Sequence, residues 1–180
     1  MWNAERIPKY VARDYVLNNH LTIVIPIFND LESLEVLLER IETIHDSNFD
    51  FLIVDNGSSD ESVFDRIKEG GKNWSAVRTH KNLGFGGGIL FGIHASKNPW
   101  VGWMPGNLKI DPWDLLKFVS KINFCPDSFI KAHRVRRKRS AQLKTLIAGL
   151  IQSVLLRKNM FDTGGTPTIC EKKFISNLVN

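Results

Sequence analysis

The sequence predicts an α/β domain, with a mostly parallel central sheet covered by helices on both faces. Two segments carry that reading. Leu21-Thr-Ile-Val-Ile-Pro-Ile-Phe-Asn-Asp30 and Phe51-Leu-Ile-Val-Asp-Asn-Gly-Ser-Ser-Asp60 are continuous apolar runs that break into small polar turns. Runs without period-two alternation suit strands buried on both faces of a parallel sheet. Each turn leads into a helix start, with Asn29 before Glu32 and Ser58 before Glu61 at capping-box spacing. Ligands of open α/β sheets gather at the carboxyl ends of the strands, where Asn29, Asp30, Asp55 and Asp60 would stand together.

The remaining elements follow in order. Residues 1–20 are weakly patterned and read as an extension outside the domain of residues 21–180. After the first strand, Leu34, Leu37, Leu38, Ile41 and Ile44 recur at helical spacing and define one apolar face. The second strand leads to a shorter helix with Val63, Phe64 and Ile67, closed by Gly70-Gly71. A brief strand is expected over 77–80, then the turn Asn82-Leu-Gly-Phe-Gly-Gly-Gly88 and a helix over 89–97. Residues 99–104 suit a fourth strand, and Pro105-Gly106-Asn107 turns the chain. Asp111-Pro112 starts a helix, with an acidic cap and proline at the first position. A fifth strand over 129–132 and a long helix over 140–157 complete the alternation expected of a three-layer domain.

At 180 residues and 43% hydrophobic, the chain can bury one ordinary core, so one domain is expected. The formal charge is +5, but six cationic side chains fall between Lys131 and Arg139 without a balancing acid. Such a cluster fits a polyanionic partner or a solvated surface. It lacks interleaved aromatics, which argues against nucleic acid. Cys125 and Cys170 are the only cysteines and have no metal-ligand spacing, which favours a reducing compartment. The first residues lack the apolar core of a signal peptide, and no run reaches the roughly 20 apolar residues of a bilayer span. Together these place the expected protein in the cytoplasm.

The glycines from Gly84 to Gly88 fail the dinucleotide fingerprint, because neither spacing supplies its third glycine, and no Gly-Lys-Ser/Thr follows for a P-loop. Tight turning and close backbone approach to a ligand both stay open for them.

Taken together, Ile25-Pro-Ile-Phe-Asn-Asp30, Val54-Asp-Asn-Gly-Ser-Ser-Asp60 and Asn82-Leu-Gly84 resemble, in order, the nucleotide-binding half of family 2 glycosyltransferases with the Rossmann-like GT-A fold. The resemblance covers residues 21–115, leaving 116–180 as the acceptor-side half. It implies a nucleotide-diphosphate sugar as donor. Pro26, Phe28 and Asn29 would line the base pocket, with Asp30 beside them, and Asp55 would accept hydrogen bonds from base or ribose. Gly57 and Ser58 would shape that turn, Asp60 would sit near the nucleoside, and Asn82 and Gly84 would close the far side. Ser58 and Asp60 have a plainer reading as helix caps.

The next motif departs from the family. Aligned on Asp111-Pro112, Pro105-Gly106-Asn107 stands where the family places Asp-x-Asp, whose carboxylates hold a divalent metal against the diphosphate. Proline has no ligating side chain and an Asn amide is a weak, neutral one, whereas magnesium and manganese favour charged oxygen ligands. Lys109 follows two residues later. The expectation is that Asn107 and Lys109 manage diphosphate charge, leaving open whether magnesium or manganese takes part.

Lys131 to Ser140 resembles an element of the family's polyprenyl-phosphate branch, in which arginines and a serine contact phosphates of donor and lipid acceptor. Arg136 and Ser140 match its spacing, with Arg134 as partner. The apolar stripe of Leu143, Leu146, Ile147, Leu150, Ile151, Val154 and Leu155 fits either packing on its own domain or lying in an anionic membrane interface. Phe161-Asp162-Thr-Gly-Gly165 resembles the family's acceptor-side Asp-x-x-x-Gly region, which makes Asp162 the candidate general base. Family members usually continue further, so a truncated, minimal or partner-completed chain is expected. The expected function is sugar transfer to polyprenyl phosphate or a cell-surface glycan at the cytoplasmic face of a membrane. The alternatives are a catalytically silent sugar-nucleotide binder and a peripheral anionic-membrane binder.

Overall fold

The computed structural model describes residues 21–44, 49–122, 124, 128–132 and 165–179. Residues 1–20, the helix expected over 140–157, and the candidates Arg134, Arg136, Ser140 and Asp162 lie outside the described residues.

The first strand, β1 (Leu21–Ile27), is buried at all seven positions. It pairs in parallel with β2 (Phe49–Asp55) on one side and β4 (Trp100–Trp103) on the other, and β2 pairs in parallel with β3 (Trp74–Arg78). Two antiparallel strands extend the β4 edge, so the six-stranded order is β3-β2-β1-β4-β6-β5. β6 (Thr168–Glu171) runs antiparallel to both β4 and β5 (Phe129–Lys131).

Alternation along the central strands sorts the two faces. Ile23, Ile25, Ile27, Phe51 and Ile53 pack with Leu34, Leu37, Leu38 and Ile41 of α1 (Leu31–Glu42), Val63 and Ile67 of α2 (Glu61–Ile67), and Leu115 of α4 (Pro112–Val119). Val24, Leu52, Val54 and Val101 face the other way, against Ile89 and Ile93 of α3 (Gly84–Ala95) and Ile175 of α5 (Lys172–Val179). Helices therefore cover both faces, and the apolar runs are continuous because each strand is packed twice.

Several boundaries differ from the sequence expectation. The caps of α1 and α2 are Asp30 and Asp60, whose carboxylates accept from the backbone N–H of Ser33 and Ser62 at 3.1 and 3.0 Å. Asn29 and Ser58 are not the caps, and their side chains join the two turns instead. β3 spans Trp74–Arg78 rather than 77–80. Most consequentially, α3 starts at Gly84, so the glycine run is not a loop before a helix at 89 but the helix's own first turns. Packing explains this. A Cβ on Gly92 would stand 2.3 Å from Val24 Cγ1, and one on Gly88 would stand 3.1 Å from Pro26 and from Asn56. These two glycines let α3 lie against the sheet, a tertiary gain that outweighs their poor helix propensity. β6 and α5 have no counterpart in the sequence expectation.

Candidate functional site

β1 and β2 end side by side, with Ile27 opposite Asp55. Asp55 is fully buried, and Asp55 is also the register partner of Arg78 at the end of β3. Its Oδ1 accepts from the backbone N–H of Ser58 at 2.9 Å, which closes the turn after β2. Its Oδ2 lies 3.1 Å from Arg78 Nε but off the line of a hydrogen bond, so this buried oxygen has no hydrogen-bond partner. The ion pair with Arg78 compensates the charge of this oxygen, but its lone pairs still lack a well-aligned donor, a state that calls for an explanation at a buried site.

Arg78 is itself locked. It makes two 2.8 Å bonds to Glu61, donates to Ser58 O at 3.1 Å, and lies 4.7 Å over the Phe64 ring. Its hydrogen bond to Glu61 raises its pKa further above the usual guanidinium range, and the same bond holds the Glu61 carboxyl below its ordinary 4.5. A lowered folded-state pKa stabilises the fold above the unfolded value, and that contribution is lost as pH falls through the folded one. Glu61→Gln should therefore fall behind the wild type at neutral pH, and the gap should close as pH drops from 4.5 through the lowered folded-state value. Melting temperatures between neutrality and about pH 3 would check this, and a constant gap at every pH would contradict it.

Asn29 ties the first turn to the second. It adopts a left-handed conformation (φ 50°), which a short polar side chain tolerates. Its Oδ1 accepts from Ser59 N at 2.9 Å, its Nδ2 donates to Ser59 Oγ at 3.1 Å, and its backbone N–H donates to Ser58 Oγ at 2.9 Å. Phe28, just before it, is 44% exposed.

The buried Asn56 fastens the third turn. Its Nδ2 donates to Asn82 Oδ1 (3.2 Å) and Gly84 O (3.0 Å), while its Oδ1 accepts from Leu83 N (3.2 Å). Asn82 Oδ1 also caps the N–H of Gly84 at 2.7 Å. Gly57 sits between them at φ +73°, where a Cβ would stand 2.3 Å from the Lys81 carbonyl carbon. Three turns from separate parts of the chain are thus bonded into one rim around Asp55. Gly106 brings in a fourth, since a Cβ there would lie 2.1 Å from Ile27 Cδ1 and 3.1 Å from Pro26 O.

Asn107 and Lys109 are exposed on that fourth turn, and Leu108 between them is held at φ 57°. Asp111 is engaged elsewhere: it caps α4 through Trp113 N at 2.9 Å and pairs with Arg40 at 2.6 Å. Among the described residues no three His, Cys, Asp or Glu side chains group to hold a metal ion. The donor set at Pro105-Gly106-Asn107 does not fit a divalent cation, because it offers one neutral amide and no carboxylate. A cleft of about 280 Å³ near Asp50, Lys72 and Asn98, at the amino ends of the strands, contains none of these residues.

The structure therefore brings Pro26, Asn29, Asp55, Gly57, Ser58, Asn82, Gly84 and Gly106 into one rim. It places Asp30 and Asp60 at its edge as helix caps. Asp60 has its pKa lowered by the hydrogen bonds from Ser62. Arg78 and Asn56 escaped the sequence reading. The available signal was their position: Asn56 follows Asp55 directly, and Arg78 ends the neighbouring strand.

The family model "Glycosyl transferase family 2" matches residues 22–174. Dodecaprenyl-phosphate galacturonate synthase of Rhizobium johnstonii is 28% identical over 117 residues, covering 62% of this chain and 35% of the relative. Undecaprenyl-phosphate 4-deoxy-4-formamido-L-arabinose transferase of an Enterobacter species is 29% identical over 107 residues, covering 56% of this chain and 33% of the relative. The chain thus spans about a third of the length of these two curated relatives. Glucosyl-3-phosphoglycerate synthase of Mycobacterium tuberculosis, solved with UDP, superposes with a TM-score of 0.65 at 16% identity, covering 87% of this chain and 58% of that one. A complex of the same enzyme with Mn2+, UDP-glucose and phosphoglyceric acid gives a TM-score of 0.62 at 14% identity, covering 94% and 63%. At such identities the superposition establishes the shared GT-A fold.

Proposed function

Because this chain belongs to glycosyltransferase family 2, we propose that it transfers a sugar from a nucleotide-diphosphate sugar to a polyprenyl phosphate. The observation that carries the reading is the buried Asp55 Oδ2, left without a hydrogen-bond partner inside a rim of bonded turns. A carboxylate only accepts, so it suits the N–H edge of a base or a ribose hydroxyl. Phe28, 44% exposed just past the end of β1, supplies apolar surface at the same strand ends, the buried Pro26 backs it from within β1, and Asn29, Ser58 and Asn82 hold the rim's shape. Asp30 and Asp60 border it through the turns that they cap.

In the transfer, an acceptor oxygen attacks the anomeric carbon while the bond from that carbon to the diphosphate breaks, and the nucleoside diphosphate departs with the electron pair. The protein's task is to align the two reactants and neutralise the leaving group. Lys109 makes no ion pair with a described residue and stands beside Asn107 on the turn packed against β1, which suits it to the diphosphate. Arg134, Arg136 and Ser140 are assigned to donor and acceptor phosphates, and Asp162 to the acceptor's proton where the acceptor is a hydroxyl. The names of the two curated relatives support a polyprenyl-phosphate acceptor. Such an acceptor places the reaction at a membrane surface, and the cysteine usage favours its cytoplasmic side.

A thermal-shift panel of UDP-, GDP- and dTDP-sugars, each with EDTA or manganese, tests both donor and metal. One nucleotide should raise the melting temperature by several degrees at about 100-fold excess over its dissociation constant, equally with EDTA and manganese. No shift with any nucleotide would refute the reading. A shift seen only with manganese would refute the assignment of Lys109. Lys109→Ala should weaken the nucleoside diphosphate about tenfold and leave the free nucleoside unchanged, the loss of one charge-assisted contact. Binding without turnover across acceptors would favour a sugar-nucleotide sensor, a reading motivated by Pro105 and Asn107.

A further inference from the structure

The geometry points to the outer face of α3 as a docking surface for an anionic lipid bilayer. α3 is apolar on both sides. Ile89 and Ile93 are buried against the sheet, whereas Leu90 and Phe91 on the other side are 37% and 36% exposed, and Leu83 before the helix, 42% exposed, lies over Gly87 on that same side. A helix apolar all round requires a partner on its second side, and an exposed cluster of large apolar side chains marks a contact surface.

Charge identifies the partner. No Asp or Glu occurs anywhere from Gly70 to Ile110. Exposed His80 and Lys81 precede the apolar cluster, and exposed His94 and Lys97 follow it. Asp50 approaches this far end from β2, where its carboxylate accepts from Asn98 at 2.7 Å. A protein-core partner would need no such acid-free frame. An apolar centre with the cation Lys81 at one end and Lys97 at the other matches a helix lying in the interface of an acidic membrane. No helix among the described residues is long and apolar enough to cross one.

The surface is continuous with the donor site. Asn56 holds Gly84 O in the first turn of α3, and Gly88 packs on Pro26. With α3 in the interface, the rim around Asp55 opens at the lipid–water boundary, where a lipid-linked phosphate is presented. In this respect the inference deepens the proposed polyprenyl-phosphate reaction and rests on it, while the surface itself is argued from exposure and charge.

The test is sedimentation of the full chain with phosphatidylcholine vesicles, with and without phosphatidylglycerol at about a third of the lipid, read beside the nucleotide thermal shift. The wild type should bind the acidic vesicles. Leu90→Ser with Phe91→Ser should weaken binding about tenfold or more, with the nucleotide shift kept. Leu90→Trp should strengthen it, since indole favours the interface. The inference falls if the wild type does not sediment with acidic vesicles, or if the double variant binds them as well as the wild type does. A dimeric wild type made monomeric by the double variant would assign the face to a second copy and overturn it too. Vesicle binding by a protein that no nucleotide stabilises would leave this surface standing and remove the proposed reaction instead.

Discussion

Asp55→Asn should weaken nucleotide-sugar binding on the order of 10²-fold, the largest loss expected from any single atom-for-atom change in the rim. Asparagine keeps the shape of the side chain, and its carbonyl can still accept from Ser58 N, now 2.9 Å from Oδ1. The amide nitrogen must then face Arg78 Nε, which stands 3.1 Å from the present Oδ2, so two donors oppose each other in a buried place. A ligand group that donates to Oδ2 would meet an N–H instead. The fold should also lose about 1–3 kcal/mol, the usual cost of a buried polar group left without its partner. Calorimetric titration with the nucleoside diphosphate, alongside denaturant unfolding of both proteins, would separate the two effects. Unchanged nucleotide affinity in a folded Asp55→Asn protein would remove Asp55 from the site.

Gly57→Ala should be as damaging, by a different route. The residue sits at φ +73°, and an added Cβ would meet backbone atoms of Lys81 and Asn82 at 2.3 and 2.6 Å. A clash with backbone cannot be relieved by a rotamer change, so the 81–84 turn must move and release its bonds to Asn56. A stability loss of about 2–4 kcal/mol is expected from strain and overpacking together, with nucleotide binding lost at the same time. Gly86→Ala provides the contrast. Nothing lies within 4 Å of a Cβ there, and no left-handed backbone requires glycine, so this helical position should tolerate alanine or gain from it. If Gly57→Ala melted with Gly86→Ala, the close packing of the second and third turns would be wrong.

The legible parts of the fold were those governed by local pattern. β1 and β2 announced themselves because strands packed on both faces need no polar alternation. Asp111-Pro112 announced α4 because cap and proline act within one turn. The misplaced caps failed for an equally local reason: Asn29 and Asp30, like Ser58 and Asp60, are all good capping residues, and only the turn's course decides among them. α3 was read too short because Gly84, Gly86, Gly87 and Gly88 are poor helix formers in isolation, and their value lies in approach to a sheet whose position the local sequence does not state. β6 was missed because four residues of mixed character become a strand only between two others. In the site, Asp55, Asn29 and Gly57 were legible as chemistry at strand ends, and the resemblance to a family sharpened them. Arg78 was not, because its meaning depends on the β2–β3 register that sets it opposite Asp55.

The place of β6 has a consequence for how the chain acquires its structure. A strand near residue 170 lies between strands near residues 100 and 130. β5 therefore has no native neighbour to pair with until β6 has arrived. The first four strands can pair in order of synthesis, but the last two must wait for a segment made after both of their neighbours. Such late, long-range closure is slow, and it leaves the open edge of β4 available for wrong pairing in the meantime. Refolding should accordingly show early protection of β1 and β2 from hydrogen exchange and late protection of β5, with aggregation worst for chains halted before residue 168.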